Sequence, residues 1–445
     1  MIQRLGQRLS HLAQRWMPDP FLFAVILTLL SLVLALAFTQ HKPLALIGYW
    51  QEGLWSNLTF GMQMCLILVT GHALATSRPV RGLVERVSRL PRTAAGATAL
   101  VALLACLSSL VHWGLGVIVG ALLAREVALN GRPRGLKVHY PLLGAAAYTG
   151  LLIWHGGLSG SAPLQAATPG QEVIPGLGLV PVTATLFSPM NLALAAAMTL
   201  LIVCLCYFLT PRDPALMTGV ESYSPAQEPE PEPKEVRGPA RRLEQSRLLS
   251  WIVAGLGLLY LVHYFVTRGF ALNLDVVNAA FLFLGILFQG TPLRYVRAVT
   301  QGTKSVSGII LQFPFYFGIQ GLIEHSGLVE MLSRFFIHIS DPATFPVFAF
   351  LSAGVVNLFV PSGGGQWVVQ GPVMIRAAQE LGVSIPKTIM AIAYGDEWTN
   401  MIQPFWAIPV LGITGLKAGE VIGYTAILCL ASAFLFIPAL LWLAA

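Results

Sequence analysis

The sequence predicts an all-α polytopic membrane protein: two inverted repeats, about nine transmembrane helices, two re-entrant hairpins and two broken helices. Three observations predict it. Of 445 residues, 55% are hydrophobic and 11% charged, against roughly 25% charged in soluble domains. The motif Gly82-Leu-Val-Glu-Arg-Val-Ser-Arg-Leu90 returns as Gly327-Leu-Val-Glu-Met-Leu-Ser-Arg-Phe335 with six identities, and the elements around both copies follow one order. Third, the stretches Asn357–Trp367 and Tyr394–Pro404 place glycine, proline, amide and carboxylate groups inside apolar segments. Irregular backbone survives in hydrocarbon only where protein or a water-filled cavity surrounds it, so these breaks read as the floor of a binding site near the midplane.

The elements follow in order. Segment 1–20 carries Arg4, Arg8 and Arg15 and reads as a cytoplasmic amphipathic N-terminus. The apolar run Phe21–Phe38 exceeds the roughly 7–15 residues of a signal-peptide core, so it reads as a retained first helix. At roughly 20 apolar residues per crossing, full spans fall near 21–39, 57–76, 141–163, 190–210, 250–267, 272–289, 305–323, 386–413 and 420–443. Two stretches differ. In 94–128 and 343–378, arms of roughly 13–17 residues flank a polar or glycine-rich tip, which suits a re-entrant hairpin. Two ordinary short helices are the alternative. The first repeat then covers 21–210 and the second 268–445, with 250–267 as an unpaired extra helix. Between them, the cytoplasmic linker 211–249 holds Glu228-Pro-Glu-Pro-Glu-Pro-Lys234, which has nothing to bury and favours extended polyproline.

Charge sets the orientation. With the N-terminus cytoplasmic, 22 of the 27 Lys and Arg fall inside; Lys42, Arg268, Arg334, Arg376 and Lys387 fall outside, as the positive-inside rule expects. The C-terminus then lies outside. The extra helix makes the second repeat begin on the opposite side, so the repeats are inverted, a natural basis for alternating access. The net charge of +7 is loop charge without a basic face interleaved with aromatics, which argues against nucleic acid as a partner. Cys65, Cys106, Cys204, Cys206 and Cys429 lie in apolar runs with neither metal-ligand nor disulfide spacing and read as packing residues.

Asp396 and Glu397 are the only acids placed inside a membrane-embedded break. An ionised carboxylate at the bilayer centre costs about 2.5–3.5 kcal/mol, and such groups usually face a functional cavity. The plainer alternative is a shallow break where Glu397 meets water. Thr399, Asn400 and Gln403 add neutral oxygens suited to a hard cation. Asp396, Thr399 and Asn400 thus form a candidate sodium site and, with Glu397, the candidate ion-coupling group. Repeat one places His155-Gly-Gly-Leu-Ser159-Gly-Ser161-Ala-Pro163 in the matching break, with His155 opposite Asp396 when Pro163 is set against Pro404. His155 either meets a substrate carboxylate, relays a proton or serves as a neutral strut. Ser159 and Ser161 offer hydroxyls to a substrate or a second cation, and His112 at the first tip is a further candidate.

At the second tip, Ser362, Gly363, Gly364 and Gly365 join Asn357 as candidate substrate-binding residues. The glycines are expected to turn the chain through positive φ and to expose backbone N–H groups beside a helix N-terminus, where an anion is favoured. Close helix packing is the alternative. A phosphate loop is not indicated, since Gln366 and Trp367 stand where Lys and Ser/Thr would follow. Trp113, Trp154, Trp367 and Trp398 flank the breaks and either shape a small apolar pocket or pack.

Pro361-Ser-Gly-Gly-Gly-Gln-Trp367 and Gly395-Asp-Glu-Trp-Thr-Asn400, with Trp16-Met-Pro-Asp-Pro20 and His112-Trp-Gly-Leu-Gly116, make the chain resemble the bacterial short-chain fatty acid transporter family. The resemblance covers nearly the whole chain outside the linker. It implies uptake of short monocarboxylates such as butyrate or acetoacetate across the inner (plasma) membrane. The oxygen-rich break of repeat two, the hydroxyls of Ser159 and Ser161 and the pair His155 and Asp396 point to cation symport. Sodium or a proton would be the coupling ion, with no other cofactor. The resemblance also implies kinship with the ion transporter superfamily of inverted-repeat carriers. Thr399-Asn400 resembles part of the Ser-Asn-Thr sodium motif of divalent-anion transporters in that superfamily, with Trp398 where that motif has serine. A dicarboxylate-type carrier and a homo-oligomer stay open. The rival class is an intramembrane serine hydrolase, since Gly157-Leu-Ser159-Gly160 resembles the rhomboid nucleophile motif with His155 nearby. The break recurs in repeat two without a serine, and paired equivalent sites suit transport better than catalysis.

Overall fold

The computed structural model describes Gln3, Arg8 and residues 12–15, 19–168, 178–223, 238–269, 273–303 and 306–442, with Leu274 by its backbone alone. Most of the expected N-terminal amphipathic stretch and the whole Glu228–Lys234 run lie outside the described residues. Among the described residues every regular element is helical. Repeat one runs α1 (Pro20–Phe38), α2 (Pro43–Ser56), α3 (Leu58–Ala75), α4 (Arg78–Ser88), then the hairpin arms α5 (Ala94–Val111) and α6 (Trp113–Gly131). It continues through α7 (Tyr140–Tyr148), two 3-10 turns, α8 (Ser161–Ala166) and α9 (Pro189–Leu209). The short α10 (Pro239–Glu244) and α11 (Arg247–Arg268) lead to repeat two. That repeat runs α12 (Leu274–Gln289), α13 (Pro292–Thr303), α14 (Ser307–His325), α15 (Leu328–His338) and the arms α16 (Phe345–Asn357) and α17 (Gly363–Leu381). It ends with α18 (Ile385–Thr399), a 3-10 turn, α19 (Pro404–Thr414) and α20 (Ala418–Trp442).

Packing repeats along with the sequence. α3 lies on α12 as α14 lies on α1; α2 lies on α14 as α13 lies on α3; α4 meets α6 as α15 meets α17. Each pairing recurs with the halves exchanged, which is what an internal two-fold produces. The two copies of the nine-residue motif fall on α4 and α15, short helices with one polar face ahead of each hairpin.

Two helices are absent from the spans read in the sequence, α2 and α13, and they occupy matching places. At 14 and 12 residues, the first with Glu52 and the second with Arg294 and Arg297, they are too short and too polar to register as crossings. Pro43 and Pro292 open them, where the missing N–H costs nothing. Among the described residues, seven helices are long and apolar enough to cross a membrane, or eight if the bent pair α13–α14 is one span. The difference from nine has local causes. Segments 141–163 and 386–413 are interrupted by 3-10 turns, and α12 has only 16 residues. Conversely, α5 and α6 have 18 and 19 residues, longer than the hairpin arms expected, because the helix continues through the polar Ser108-Ser109 pair to His112.

The α2–α14 crossing brings two backbones almost into touch. A Cβ on Gly321 would stand 2.7 Å from the Gly53 Cα, and one on Gly53 would stand 2.6 Å from the Phe317 carbonyl oxygen. Gly321→Leu should force the helices apart and cost about 1–3 kcal/mol. A lowered Tm of the purified protein in detergent checks it; an unchanged Tm would show that the crossing adapts.

Candidate functional site

Proline creates the break in repeat two. Pro404 has no N–H to offer the Asn400 carbonyl. That oxygen instead accepts from Gln403 N at 3.1 Å and from the Tyr148 hydroxyl at 2.5 Å. Tyr148 also donates to the Gln403 carbonyl at 3.1 Å, and the Thr425 hydroxyl donates to the Met401 carbonyl. The opened backbone is therefore satisfied by repeat one and by α20, as membrane-depth irregularity requires.

Into this break α16 delivers Asn357. Its Nδ2 stands within donating distance of the Asp396 carbonyl (2.7 Å), Thr399 Oγ1 (3.0 Å) and Asn400 Oδ1 (2.8 Å). Gln403 Nε2 donates back to the Asn357 carbonyl at 2.8 Å, and Thr399 Oγ1 donates to the Gly354 carbonyl at 2.9 Å. Both carboxyl oxygens of Asp396, Asn357 Oδ1 and Gln403 Oε1 are buried without a partner, as is Asn400 Nδ2. Among these side chains the unpartnered atoms are four oxygens and one donor, and oxygens are the groups a hard cation takes.

The matching break in repeat one is fastened differently. A Cβ on Gly157 would stand 2.6 Å from the Leu110 Cα, so glycine is what lets the first hairpin tip press against the break. Leu158 N then donates to the Leu110 carbonyl at 2.7 Å, and Trp113 N donates to Ser159 Oγ at 3.1 Å. His112 caps its own helix, Nδ1 accepting from Gly114 N at 3.1 Å. Ser161 is the first residue of α8. Ser159 and His112 are thus engaged in holding this tip, apart from the amide and carboxyl cluster of repeat two.

His155 joins the two halves. Its backbone N–H donates to Glu397 Oε2 at 2.8 Å. Its Nδ1 lies 3.0 Å from the Ala393 carbonyl, and because a carbonyl only accepts, Nδ1 carries the hydrogen. Asp396 Oδ1 is 3.8 Å from the same nitrogen, with His155 and Asp396 side chains 1% and 2% exposed. The other ring nitrogen, Nε2, is buried without a partner. It faces Gly363: a Cβ there would collide with Nε2 and stand 3.0 Å from the Trp154 ring.

Gly363–Gly365 form the first turn of α17, capped by Ser362 Oγ, which accepts from Gly365 N at 3.2 Å. None of the three has positive φ. The expected left-handed turn is corrected: the glycines permit close approach, with Gly364 beside Gln165 and Gly365 beside Gln320. Trp398 turns away from the break and donates from Nε1 to the Cys429 carbonyl at 2.6 Å. Trp113 instead lies 6.3 Å from Trp154 and 5.2 Å from Trp406, ring centre to ring centre, walling one side of the centre. Trp367 is buried in α17.

Several participants escape the sequence reading. Tyr148 and Trp406 look like ordinary core aromatics. Gln366 and Gln370 share one face of α17, where Gln366 Nε2 donates to the Ala353 carbonyl and Gln370 Nε2 to Ser352 Oγ, both at 2.9 Å. Their four-residue spacing within an apolar run was the available signal.

Paired hairpin tips pressed against paired helix breaks around a buried polar centre define a membrane transporter built on two repeats. The sequence profile of the family described as "Short chain fatty acid transporter" matches residues 1–443, and this chain belongs to that family. It is similar to two proteins each named "Putative short-chain fatty acid transporter". One, from Escherichia coli (strain K12), is 43% identical over 444 residues, covering 98% of this chain and 99% of its own. The other, from Haemophilus influenzae, is 39% identical over 452 residues, covering 100% of both. Among solved structures, the chain is similar to the Alcanivorax borkumensis YdaH transporter, at 18% identity, coverage of 95% and 97%, and a TM-score of 0.43. Neisseria gonorrhoeae MtrF is similar at 14% identity, coverage of 98% and 97%, and a TM-score of 0.35. The family is one of transporters and not of enzymes, and Ser159 accepts from a backbone N–H rather than meeting a histidine.

Proposed function

We propose that the protein carries short monocarboxylates, of the size of butyrate or acetoacetate, into the cell together with a cation by alternating access of its two repeats. The observation that carries this reading is the unpartnered Nε2 of His155 facing the Gly363 tip, with the unpartnered Asp396 carboxyl beside the same ring. Nδ1 already gives its hydrogen to Ala393. A carboxylate arriving at the tip therefore needs a second proton on Nε2, and Asp396 then balances the imidazolium. Anion and proton favour each other's binding, which is symport. No Lys or Arg is among the buried described residues, so the centre provides charge for one carboxylate, which disfavours a dicarboxylate. A sodium-coupled reading is favoured by a separate observation, the four orphaned oxygens of Asp396, Asn357 and Gln403.

The membrane is the bacterial inner membrane on this reading, with the N-terminus cytoplasmic and the C-terminus outside. The starts of α1, α14 and α20 line one pocket, which supports their beginning on one side, as the distribution of Lys and Arg requires. Labelled butyrate uptake into proteoliposomes tests the coupling. A pH gradient, acid outside, should drive accumulation without sodium. Accumulation that needs a sodium gradient at fixed pH would replace the proton by sodium. Equilibration alone under every gradient would leave a facilitator and sink symport.

A further inference from the structure

The two copies of the nine-residue motif differ in the charge around them. With Gly82 set against Gly327, the arginines Arg78, Arg81, Arg86 and Arg92 of α4 and its exit turn align with Ile323, Ser326, Met331 and Ile337 around α15. Of the five arginines in this stretch, Arg89 alone has a cationic counterpart, Arg334. Arg334 is held by Glu330 at 2.8 Å, whereas the matching acid in repeat one, Glu85, is taken by Arg81 at 2.8 Å. Arg78, Arg86, Arg89 and Arg92 are exposed, and none has an ion-pair partner among the described residues.

Helical spacing sorts α4 into three faces. Arg78, Arg81, Arg86 and Arg89 share one. Val84, Val87 and Ser88 lie on the face turned inward. Between them Pro79, Leu83 and Leu90 make an apolar edge that points away from the protein, with Leu83 61% and Leu90 66% exposed. Leu328, the counterpart of Leu83, is only 8% exposed. A cationic face beside an outward apolar edge belongs to a helix lying in the membrane interface, and α15 lacks the cationic half.

The helix is also fastened to the first hairpin. Asn130 Nδ2, on α6, donates to Ser88 Oγ at 2.9 Å, and the Arg134 guanidinium just beyond α6 donates to the Arg89 carbonyl at 2.7 Å. The depth at which α4 sits therefore sets the depth of the base of α6. We propose that α4 and its exit turn bind the headgroups of anionic phospholipids and so hold the base of the first hairpin at the bilayer surface. The arginines meet the phosphates, while Leu83 and Leu90 enter the acyl boundary. Arginine suits this task because its planar fork takes two phosphate oxygens at once. Phosphatidylglycerol carries the net negative charge that four unpaired arginines attract; phosphatidylcholine, whose ammonium cancels its phosphate, does not. The orientation proposed above makes this the cytoplasmic leaflet, and the headgroup chemistry rests on α4 alone.

Equilibrium binding of tail-labelled phosphatidylglycerol to the purified full-length protein in detergent tests it. Saturable binding is expected that weakens with salt and that neither phosphatidylcholine nor inorganic phosphate displaces. An arginine near an anionic lipid surface contributes roughly fivefold in affinity. The triple variant Arg86→Gln, Arg89→Gln, Arg92→Gln should therefore bind about a hundredfold more weakly, and Arg89→Gln alone about fivefold. Arg334→Gln, at the equivalent place in repeat two, should change nothing. The Arg89 side chain has no ion-pair partner to lose, so its single variant decides the matter if the triple variant does not insert. Equal affinity for the two lipids, or phosphatidylglycerol binding indifferent to both arginine variants, overturns the surface. Equal losses with Arg89→Gln and Arg334→Gln overturn its confinement to repeat one. Displacement by inorganic phosphate at matched concentration would make it a site for soluble anions and overturn the membrane assignment.

Discussion

Asp396→Asn should abolish concentrative butyrate uptake while the protein still folds and inserts. The substitution keeps the size of the side chain, and neither carboxyl oxygen holds a partner whose loss would destabilise the fold. What changes is charge. The carboxyl beside His155 Nδ1 at 3.8 Å becomes an amide and no longer balances a protonated ring. It also brings two N–H donors to a centre already rich in unpartnered oxygens, which disfavours a cation there. Opposite unit charges about 4 Å apart attract by about 4 kcal/mol at an effective dielectric constant of about 20, so losing that balance costs coupled uptake roughly a thousandfold. Initial uptake rates in proteoliposomes under an imposed pH gradient measure it. Normal accumulation by a well-inserted Asp396→Asn protein would remove Asp396 from the mechanism.

The polar half of this centre was legible because polarity is rare in the surrounding sequence. Asn357, Thr399, Asn400 and Gln403 stand out of apolar segments and converge within hydrogen-bond reach, with the main-chain carbonyl of Asp396 among their partners. The nine-residue repeat likewise pointed to two halves whose helix pairings exchange. Cross-repeat partners were not legible. Nothing local pairs His155 with Glu397, 242 positions away, or Tyr148 with Asn400, 252 away. Such pairings arise from the two-fold, and no window of sequence displays it. Hydropathy passed over α2 and α13 for the opposite reason: they are helical without being uniformly apolar. Composition suggested the right cause for Gly363–Gly365 only in part. A left-handed turn and a close approach both demand glycine, and only the folded chain separates them.

That distinction sets the second large effect, at Gly363. Because its φ is ordinary, Gly363→Val meets no backbone penalty of the left-handed kind. Its cost comes from space. The new Cβ would occupy the position of His155 Nε2 and crowd the Trp154 ring. The imidazole has little room to yield, being tied at Nδ1 to Ala393 and at its backbone N to Glu397. A valine there forces the ring and the tip apart, and with them the geometry on which the proposed carboxylate contact at Nε2 depends. Butyrate affinity should fall by about a hundredfold, near the upper end of what a lost hydrogen bond to a charged group costs. Gly364→Ala offers the contrast. Its nearest neighbour would be the amide end of Gln165 at 2.9 Å, a flexible tip that can swing aside, so the loss should be nearer to threefold. Equilibrium binding of labelled butyrate to both purified variants decides the matter. If Gly363→Val binds like the unaltered protein, the anion cradle lies elsewhere; if Gly364→Ala is the more damaging, the tip acts through its backbone shape and not through His155.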